Sequence, residues 1–443
     1  SGWFDCTDFG SLRGSMMFKQ YDAYQDSNNL ELSIVPVGWK VDRIKYEIKL
    51  LTGYPFNSSK YTEEGIKLVR GINVKESILD WKDTAYWPEV TPDLQRYLLK
   101  DGDLLIGMDG SKVGKNFCQV SEQDLPLLLL QRVARLRVKN LLNARYLYWN
   151  LASKRFLNWI NRSKTDPMIP HMAPKDINDF VIAYPSTEEQ SRIALFLDQK
   201  TSEIDQAIAI KEQQISLLNE RKQIVIQKAV IQGLDPNVPM KDSDIDGIGK
   251  IPKHWETFFN RRLFRENSRP VKGDELPLSL SQKDGVIPSF EMKEKSLSPA
   301  HRNNFKLCFP NDLVVNRFKG HLGVFFQSNY TGIVTFHYGV FEPAKNVYTK
   351  YFELLYHTEQ YKTLYAGASN GMSIGLQNLS NLNFYRIKSI VPPLEEQKMI
   401  CDYADKVEKE HSNLIQKLEI QIEKLKEYKT TLINDAVTGK IKV

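Results

Sequence analysis

Hydrophobic positions along the chain follow two patterns. From Glu188 to Ile231 there is no Gly and no Pro, and Ile193, Leu197, Ile204, Ile208, Ile215, Leu218 and Val225 recur at three-, four- and seven-residue steps. That spacing predicts one amphipathic helix, roughly 60–65 Å long at 1.5 Å per residue. Ser186 and Thr187, with Glu189 and Gln190 three residues on, form a capping-box start, and Gly233 a stop. A second helix is expected from Leu394 to Val437, with Ile400, Val407, Leu414, Leu418, Ile422, Leu425 and Leu432 on one side, Glu/Lys-rich flanks and a stop at Gly439. Helices this long outrun a small domain. They pair with each other or stand as solvated spacers.

The two helical stretches are one text written twice. Pro185 aligns with Pro392, and Glu188, Glu189 and Gln190 with Glu395, Glu396 and Gln397. The match runs without a gap through Ile193/Ile400, Asp198/Asp405, Glu203/Glu410, Ile215/Ile422 and Leu218/Leu425 to Ala229-Val230 and Ala436-Val437. A repeat so widely spaced means a tandem two-part molecule, not a short-period solenoid.

The residues between are patterned differently. Val41 to Leu51 alternates weakly and suits a short strand or a helix. Leu104 to Ile106, after Asp101-Gly102-Asp103, reads as a strand leaving a turn, and Arg132 to Lys139 as a half-buried strand. Ala144 to Ile160, with Tyr148, Leu151, Phe156 and Trp159, reads as one helix, and Phe180 to Ala183 as a last strand. After the first long helix the polar stretch Lys241 to Lys250 is linker-like, and then the plan restarts: Ile251-Pro252-Lys253-His254-Trp255 echoes Val35-Pro36-Val37-Gly38-Trp39. Asn311 to Val315 echoes Gly102 to Ile106, and Asn381 to Phe384 echoes Ile177 to Phe180. The expected architecture is α+β: two globular α/β domains joined by two long antiparallel helices in a coiled coil, with pseudo-two-fold internal repetition and one domain at each end of a rod. The boundaries fall at residues 17–184, 185–235, 236–391 and 392–443. Gly14-Ser15-Met16-Met17 looks like a cloning scar, so residues 1–16 are set aside as an appended or disordered leader.

Composition changes this picture little. The chain has 443 residues, 42% hydrophobic and 26% charged, enough for two to four domains. No apolar run approaches the roughly 18–20 residues of a membrane span. The four cysteines (Cys6, Cys118, Cys308, Cys401) are far apart with no CxxC, which speaks against zinc and suits a reducing cytoplasm. Gly110 to Asn116 fails as a phosphate loop, and GxGxxG, HExxH and GxSxG do not occur. Glu47-Ile48-Lys49 and Glu291-Met292-Lys293 have the E-x-K shape of a nuclease half-motif, a match expected by chance. The paired acids Glu188-Glu189 and Glu395-Glu396 suit helix dipoles better than acid/base catalysis. His254 reads as structural. No catalytic residue, metal site or cofactor is assigned.

The net charge of +6 permits nucleic acid only where cations gather. Arg132, Arg135, Arg137 and Lys139 are close, the last three on one strand face. Lys154, Arg155, Arg162 and Lys164 interleave with Phe156 and Trp159. Arg261, Arg262, Arg265 and Arg269 open the second domain, and Arg317 and Lys319 precede Gly320. Asn303, Asn304, Asn370 and Gln377 are candidate base readers.

Taken together, the chain from about Met17 onward resembles the specificity subunit of type I restriction–modification systems. The resemblance rests on Pro185 to Gln190, Pro393-Leu394-Glu395-Glu396-Gln397, Ala436 to Gly439, the Ile251 to Trp255 lead-in, and the order domain, helix, domain, helix. The first lead-in departs, with Val35-Pro36-Val37-Gly38-Trp39. The resemblance implies two target-recognition domains, each reading half of a split double-stranded DNA sequence. It implies paired helices that act as a spacer and dock two methyltransferase subunits, and restriction/translocase subunits that join the assembly. The partners then hold the cofactors: S-adenosylmethionine on the methyltransferase that flips and methylates adenine, ATP and Mg on the restriction subunit. Two other readings are a coiled-coil protein-interaction scaffold and a nuclease or methyltransferase in its own right.

Overall fold

The computed structural model describes residues 18–29, 32–163, 171–267, 269–272, 274–292, 305–369 and 378–443. The chain forms two compact units, one of Ser1–Lys211 with Ile420–Val443, the other of Glu212–Glu419. Each unit therefore holds one mixed domain, the start of one long helix and the end of the other.

In the first unit a four-stranded antiparallel sheet is built from β1 (Ile48–Thr52), β2 (Leu104–Gly107), β3 (Phe117–Gln119) and β4 (Val133–Val138), in the order β1-β4-β2-β3. Side chains alternate across a strand, and here both faces are covered. Leu104, Ile106, Ala134 and Leu136 join one buried cluster with the helices. Leu105, Val133 and Cys118 join a second cluster with Leu127, Leu128 and Leu129 on the other face. This explains why β2 reads as continuously apolar. The Val41–Leu51 stretch is neither one strand nor a helix. It is two strands, Lys40–Arg43 and β1, joined by a 3-10 turn at Ile44–Tyr46.

The single helix expected from Ala144 to Ile160 is two. The first, α1 (Ala144–Ala152), stops at Ser153, whose extended backbone (φ −72°, ψ 151°) is fixed by its hydroxyl donating to the Asn150 carbonyl at 2.6 Å. A second helix, Lys154–Ser163, follows. Serine competes for its own backbone in this way, and helical periodicity does not reveal it.

The second unit repeats the sheet with β5 (Phe264–Glu266), β6 (Leu313–Asn316), β7 (Phe325–Gln327) and β8 (Tyr338–Pro343), in the order β5-β8-β6-β7, again all antiparallel. Leu313, Val315 and Phe341 face the helix-side core, and Val314 and Val340 the outer one. Each sheet also carries an arginine–aspartate pair whose carboxylate is buried at the turn before a central strand, the arginine coming from a different place in each. Arg137 grips Asp103 with two hydrogen bonds of 2.7 and 2.6 Å, and Arg269 grips Asp312 with two. The same aspartates accept from backbone N–H groups, Lys100 on Asp103 and Phe309 on Asp312.

The long helices are α2 (Thr187–Gln232) and α4 (Leu394–Val437); between them lies α3 (Thr349–Tyr356). Each long helix starts directly after a strand that closes a domain, Val181–Tyr184 against Lys40–Arg43 and Lys388–Val391 against Glu256–Phe259. The first-turn junction is one buried glutamine, used twice. Gln190 is fully buried; its Oε1 accepts from the Asn143 N–H and its Nε2 donates to the Leu141 and Pro185 carbonyls. Gln397, equally buried, accepts from the Tyr348 N–H and donates to the Asn346 and Pro392 carbonyls. Only half of the expected capping box forms, with the Glu189 N–H donating to Ser186 Oγ at 3.4 Å.

The helix ends are also held alike. Tyr146, at the start of α1, donates to the Val437 carbonyl at 3.2 Å and the Ala183 carbonyl at 2.7 Å. Tyr351, on α3, donates to the Val230 carbonyl at 2.9 Å. Gly439 (φ +71°) turns against Pro36 and Trp39, and Gly233 (φ +79°) against Pro252 and Trp255. At Gly439 a Cβ would lie 2.4 Å from Pro36, so glycine is required there by space as well as by dihedral angle.

Within each unit the helices run antiparallel. Lys429 Nζ lies 2.7 Å from Asp205, and Lys211 Nζ 2.6 Å from Gln421 Oε1, in the first unit. Lys222 Nζ lies 3.0 Å from Glu408 in the second. On α2 the side chains turned inward include Ile193, Leu197, Ile204, Ile208, Ile215, Leu218 and Val225, all buried or half-buried. On α4 they include Ile400, Val407, Leu418, Ile422, Leu425 and Leu432. Leu414 is the exception, at 47% exposed. The steps after Val407 are of four residues twice, through His411 and Ile415, before Leu418. Two consecutive fours shift the stripe by one residue from a strict seven-residue repeat and turn Leu414 outward.

Two outcomes test this account. Gln190→Leu keeps the volume but strands one N–H and two carbonyls, and is expected to lower unfolding stability by about 2–4 kcal/mol in a urea titration; an unchanged midpoint contradicts the clamp. Arg269→Ala leaves the Asp312 carboxylate buried and unpaired, and is expected to cost about 3–5 kcal/mol, whereas Arg265→Ala at an exposed site changes stability by less than about 0.5 kcal/mol.

Candidate nucleic-acid interface

The basic residues singled out in the sequence separate into cations that hold the domains together and cations that face solvent. Arg135 belongs to the first group. Its Nη1 donates to the Arg96 carbonyl at 3.0 Å, and burial, with Arg137 beside it, pushes its pKa down. Arg137 is committed to Asp103, a hydrogen-bonded pairing that raises its pKa. Lys139 is exposed but donates to the Tyr46 carbonyl at 2.7 Å. Arg135 and Arg137 lie on the strand and Lys139 just past its end at Val138, and all three bind groups of the fold. Arg155 donates to the Val181 carbonyl at 2.9 Å and lies over the Phe180 ring. Arg317 lies 2.7 Å from Glu266, which also binds Lys306.

The outward group is smaller. Arg132, 74% exposed and at a positive φ of 69°, sits beside Asp109, which also meets His171. Lys154 is exposed at the start of its helix, and Arg162 lies in the last turn of the same helix. In the second unit Arg261 and Arg262 are exposed and lie over the rings of Phe259 and Phe258, with Lys388 also over Phe259. Arg265 and Lys319 are exposed. Lys164, Asn303, Asn304, Asn370 and Gln377 lie outside the described residues.

Three features escaped the sequence reading. The acids at the helix starts bind the lead-ins: Glu189 accepts from Tyr21 Oη at 2.6 Å, and Glu396 meets His254 Nε2 at 2.7 Å and Trp255 Nε1 at 2.9 Å. Burial, with Glu189 beside it, pushes the Tyr21 phenol well above its ordinary range. His254 thus has a structural partner. The recurrence of Glu396 beside Gln397, just as Glu189 stands beside Gln190, was the available signal.

The second feature is an open groove of about 1360 Å³ in the first unit, lined by Arg145, Trp149, Asp198, Asp205 and Lys429 among others. Asp198 accepts from Arg145 Nε at 2.7 Å and Trp149 Nε1 at 2.9 Å, while the Arg145 guanidinium lies over Tyr148 and Trp149. The third is a group of exposed rings, Phe318, Phe336 and His337, in the second unit.

Among the described residues no group of three or more His, Cys, Asp or Glu is placed to hold a metal. Cys118, Cys308 and Cys401 are buried, and burial pushes the thiols of Cys118 and Cys401 up to about 12. They are therefore protonated and unreactive near neutral pH. Among the described residues no helix is long and apolar enough to cross a membrane.

Comparison with known proteins gives a consistent result. Residues 36–220 and 252–424 each match the type I restriction modification DNA specificity domain. The chain is 30% identical over 169 residues to the EcoAI specificity subunit of Escherichia coli, covering 37% of this chain and 28% of that protein. It is 27% identical over 258 residues to the MjaVIII specificity subunit of Methanocaldococcus jannaschii, covering 54% and 52%. These alignments span about half or less of each relative. Among solved structures, it superposes with a TM-score of 0.68 at 14% identity on a chain from a study of complex assembly in the type I R-M system, covering 92% of this chain and 99% of that one. On the HsdS subunit from Thermoanaerobacter tengcongensis the TM-score is 0.54, also at 14% identity, with 92% and 98% covered. At that identity the likeness is one of fold. With two copies of the domain, each running from a mixed segment into the long helix that follows it, the chain belongs to the family of the type I restriction modification DNA specificity domain.

Proposed function

We propose that this chain is the DNA-reading specificity subunit of a type I restriction–modification assembly. Its two domains each read one half of a split duplex target. The paired helices set the unread gap and dock two methyltransferase subunits, with restriction subunits joining the same assembly. The observation that carries this reading is a contrast. The two domains share one sheet topology and one glutamine junction, yet their outward residues differ. Like junctions suit like partners, and unlike surfaces suit unlike half-sites.

Several features support the assignment of roles. Arg132, Lys154, Arg261, Arg262, Arg265 and Lys319 are outward cations suited to phosphate. The groove beside Arg145 and Trp149 mixes aromatic and charged groups as protein interfaces do. S-adenosylmethionine then belongs to the methyltransferase subunits, ATP and Mg to the restriction subunits, and this chain contributes position and sequence choice.

Two measurements test the reading. Inserting one helical turn of four residues in both α2 and α4 is expected to lengthen the gap between methylated half-sites by about one or two base pairs, since a turn rises about 5.4 Å and a base pair about 3.4 Å. Methylated sites that keep their spacing exclude the spacer role. Replacing residues 36–184 with the corresponding domain of a relative is expected to change one half-site and leave the other as it was, read by sequencing the methylated DNA. If both halves change or neither does, the division of labour is wrong.

A further inference from the structure

The second domain carries a feature that the first lacks. After β6, the 3-10 turn Arg317–Leu322 is fixed from inside. Asn316 Oδ1 accepts the N–H groups of Phe318 at 3.1 Å and Lys319 at 3.3 Å. The Leu379 N–H donates to the Arg317 carbonyl at 2.9 Å, and Gly320 sits so close to Leu379 that a Cβ would meet it at 3.0 Å. On this turn Phe318 is 46% exposed.

A second loop meets it. Phe336, 50% exposed, lies with its ring 3.8 Å from that of His337, and His337 lies 5.5 Å from the ring of Phe318. Three rings from two loops thus form one series at the surface. Leu322, 43% exposed, and Lys319 lie on the same turn. Exposed rings held together in this way mark an interaction site more often than chance exposure does.

Charge indicates what covers it. From Leu313 to Phe341 the sequence has no Asp and no Glu, while Arg317, Lys319, His321 and His337 fall within it. In the first domain the corresponding connection, Met108 to Asn116, contains Asp109, which is taken by Arg132 and His171, and carries no aromatic before Phe117. Arg317 is taken by Glu266, which leaves Lys319 as the outward cation beside the rings. Flat apolar rings next to a lysine suit nucleic acid, since the cation approaches phosphate and the rings meet thymine methyl groups or wedge at a base step.

We propose that the Phe318–His337–Phe336 ring series is the base-contacting tip of the second domain and fixes part of its half-site. This rests on the DNA-reading function given above. The rings supply sequence preference, Lys319 supplies phosphate contact, and the two contributions are separable.

The test is selection of the full chain against a library of randomised duplexes, followed by affinity measurement across a salt series. The Phe318→Ala/Phe336→Ala variant is expected to lose preference over a short run of base pairs in one half of the selected sequence. Its best sequence should bind about tenfold or more weakly, with the salt slope and the other half unchanged. Lys319→Ala is expected to weaken all sequences together and to reduce the salt slope by about one. Phe318→Tyr, which keeps the ring, is expected to keep the preference. Thermal melting of each variant checks folding, and the single Phe336→Ala change serves if the double variant melts early. A double variant that selects the same sequences with the same affinity overturns the proposal, including the case in which it loses a protein partner instead. If the unaltered chain selects no sequence at all, the DNA-reading function itself falls, and this assignment with it.

Discussion

The structure depends on solving one local problem twice: how to start a long helix on the edge of a small domain without burying unpaired backbone groups. A helix leaves its first N–H groups without partners. So does a strand that ends where the helix begins, and the chain between α1 and its preceding strand has the same difficulty. In the first helix the first-turn N–H groups go to Ser186, Gln190 N–H to its carbonyl and Glu189 N–H to its hydroxyl. The buried amide, with a carbonyl and an NH₂ in one planar group, pairs instead the groups of the neighbouring loop and the carbonyl that precedes the helix. Gln190 and Gln397 each make three side-chain hydrogen bonds, all to main-chain atoms, one across the turn and two on the neighbouring loop. Once that group is placed, the direction of the helix relative to its own domain is set, and the tyrosines that hold the returning helix ends can reach their carbonyls.

The polar members of the helix pair follow the same logic at lower energy. Lys222 is 14% exposed as a side chain and pairs with Glu408, which is 53% exposed. A half-screened pair of this kind adds little stability. Its value lies in register: a lysine that must reach solvent and a carboxylate disfavours sliding of one helix along the other. Leu414 shows the opposite case, an apolar side chain that periodicity assigns inward and that the two four-residue steps turn out.

Much of the fold was legible in the sequence because its causes are local and repetitive. The long helices announce themselves by an absence of Gly and Pro and by regular apolar steps, and the duplication is visible without any structure. The break at Ser153 was not legible, since it depends on a hydroxyl choosing its own backbone. Nor could the sequence separate Arg135 and Arg137 from Arg132. All three stand within six residues (132–137), yet the outcome turns on Asp103 and Arg96, which are distant in the chain. Periodicity shows which face a residue shares. It does not show what stands opposite. The ring series in the second domain joins Phe318 to Phe336 and His337 across a strand pair, again a matter of tertiary approach.

The glutamine and tyrosine contacts have one more property. The hydrogen bonds described for them end on backbone N–H or carbonyl groups: Leu141, Asn143, Ala183, Pro185 and Val437 in one unit, Asn346, Tyr348, Pro392 and Val230 in the other. Main-chain groups are present whatever residue carries them. On the helix side of the glutamine, then, the joint tolerates any residue at the loop positions it binds, while the domain must still supply the few side chains that reach back to the helices, Tyr146 and Tyr21 in one unit and Tyr351 and Trp255 in the other. Substitutions elsewhere on the domain surface leave these contacts in place.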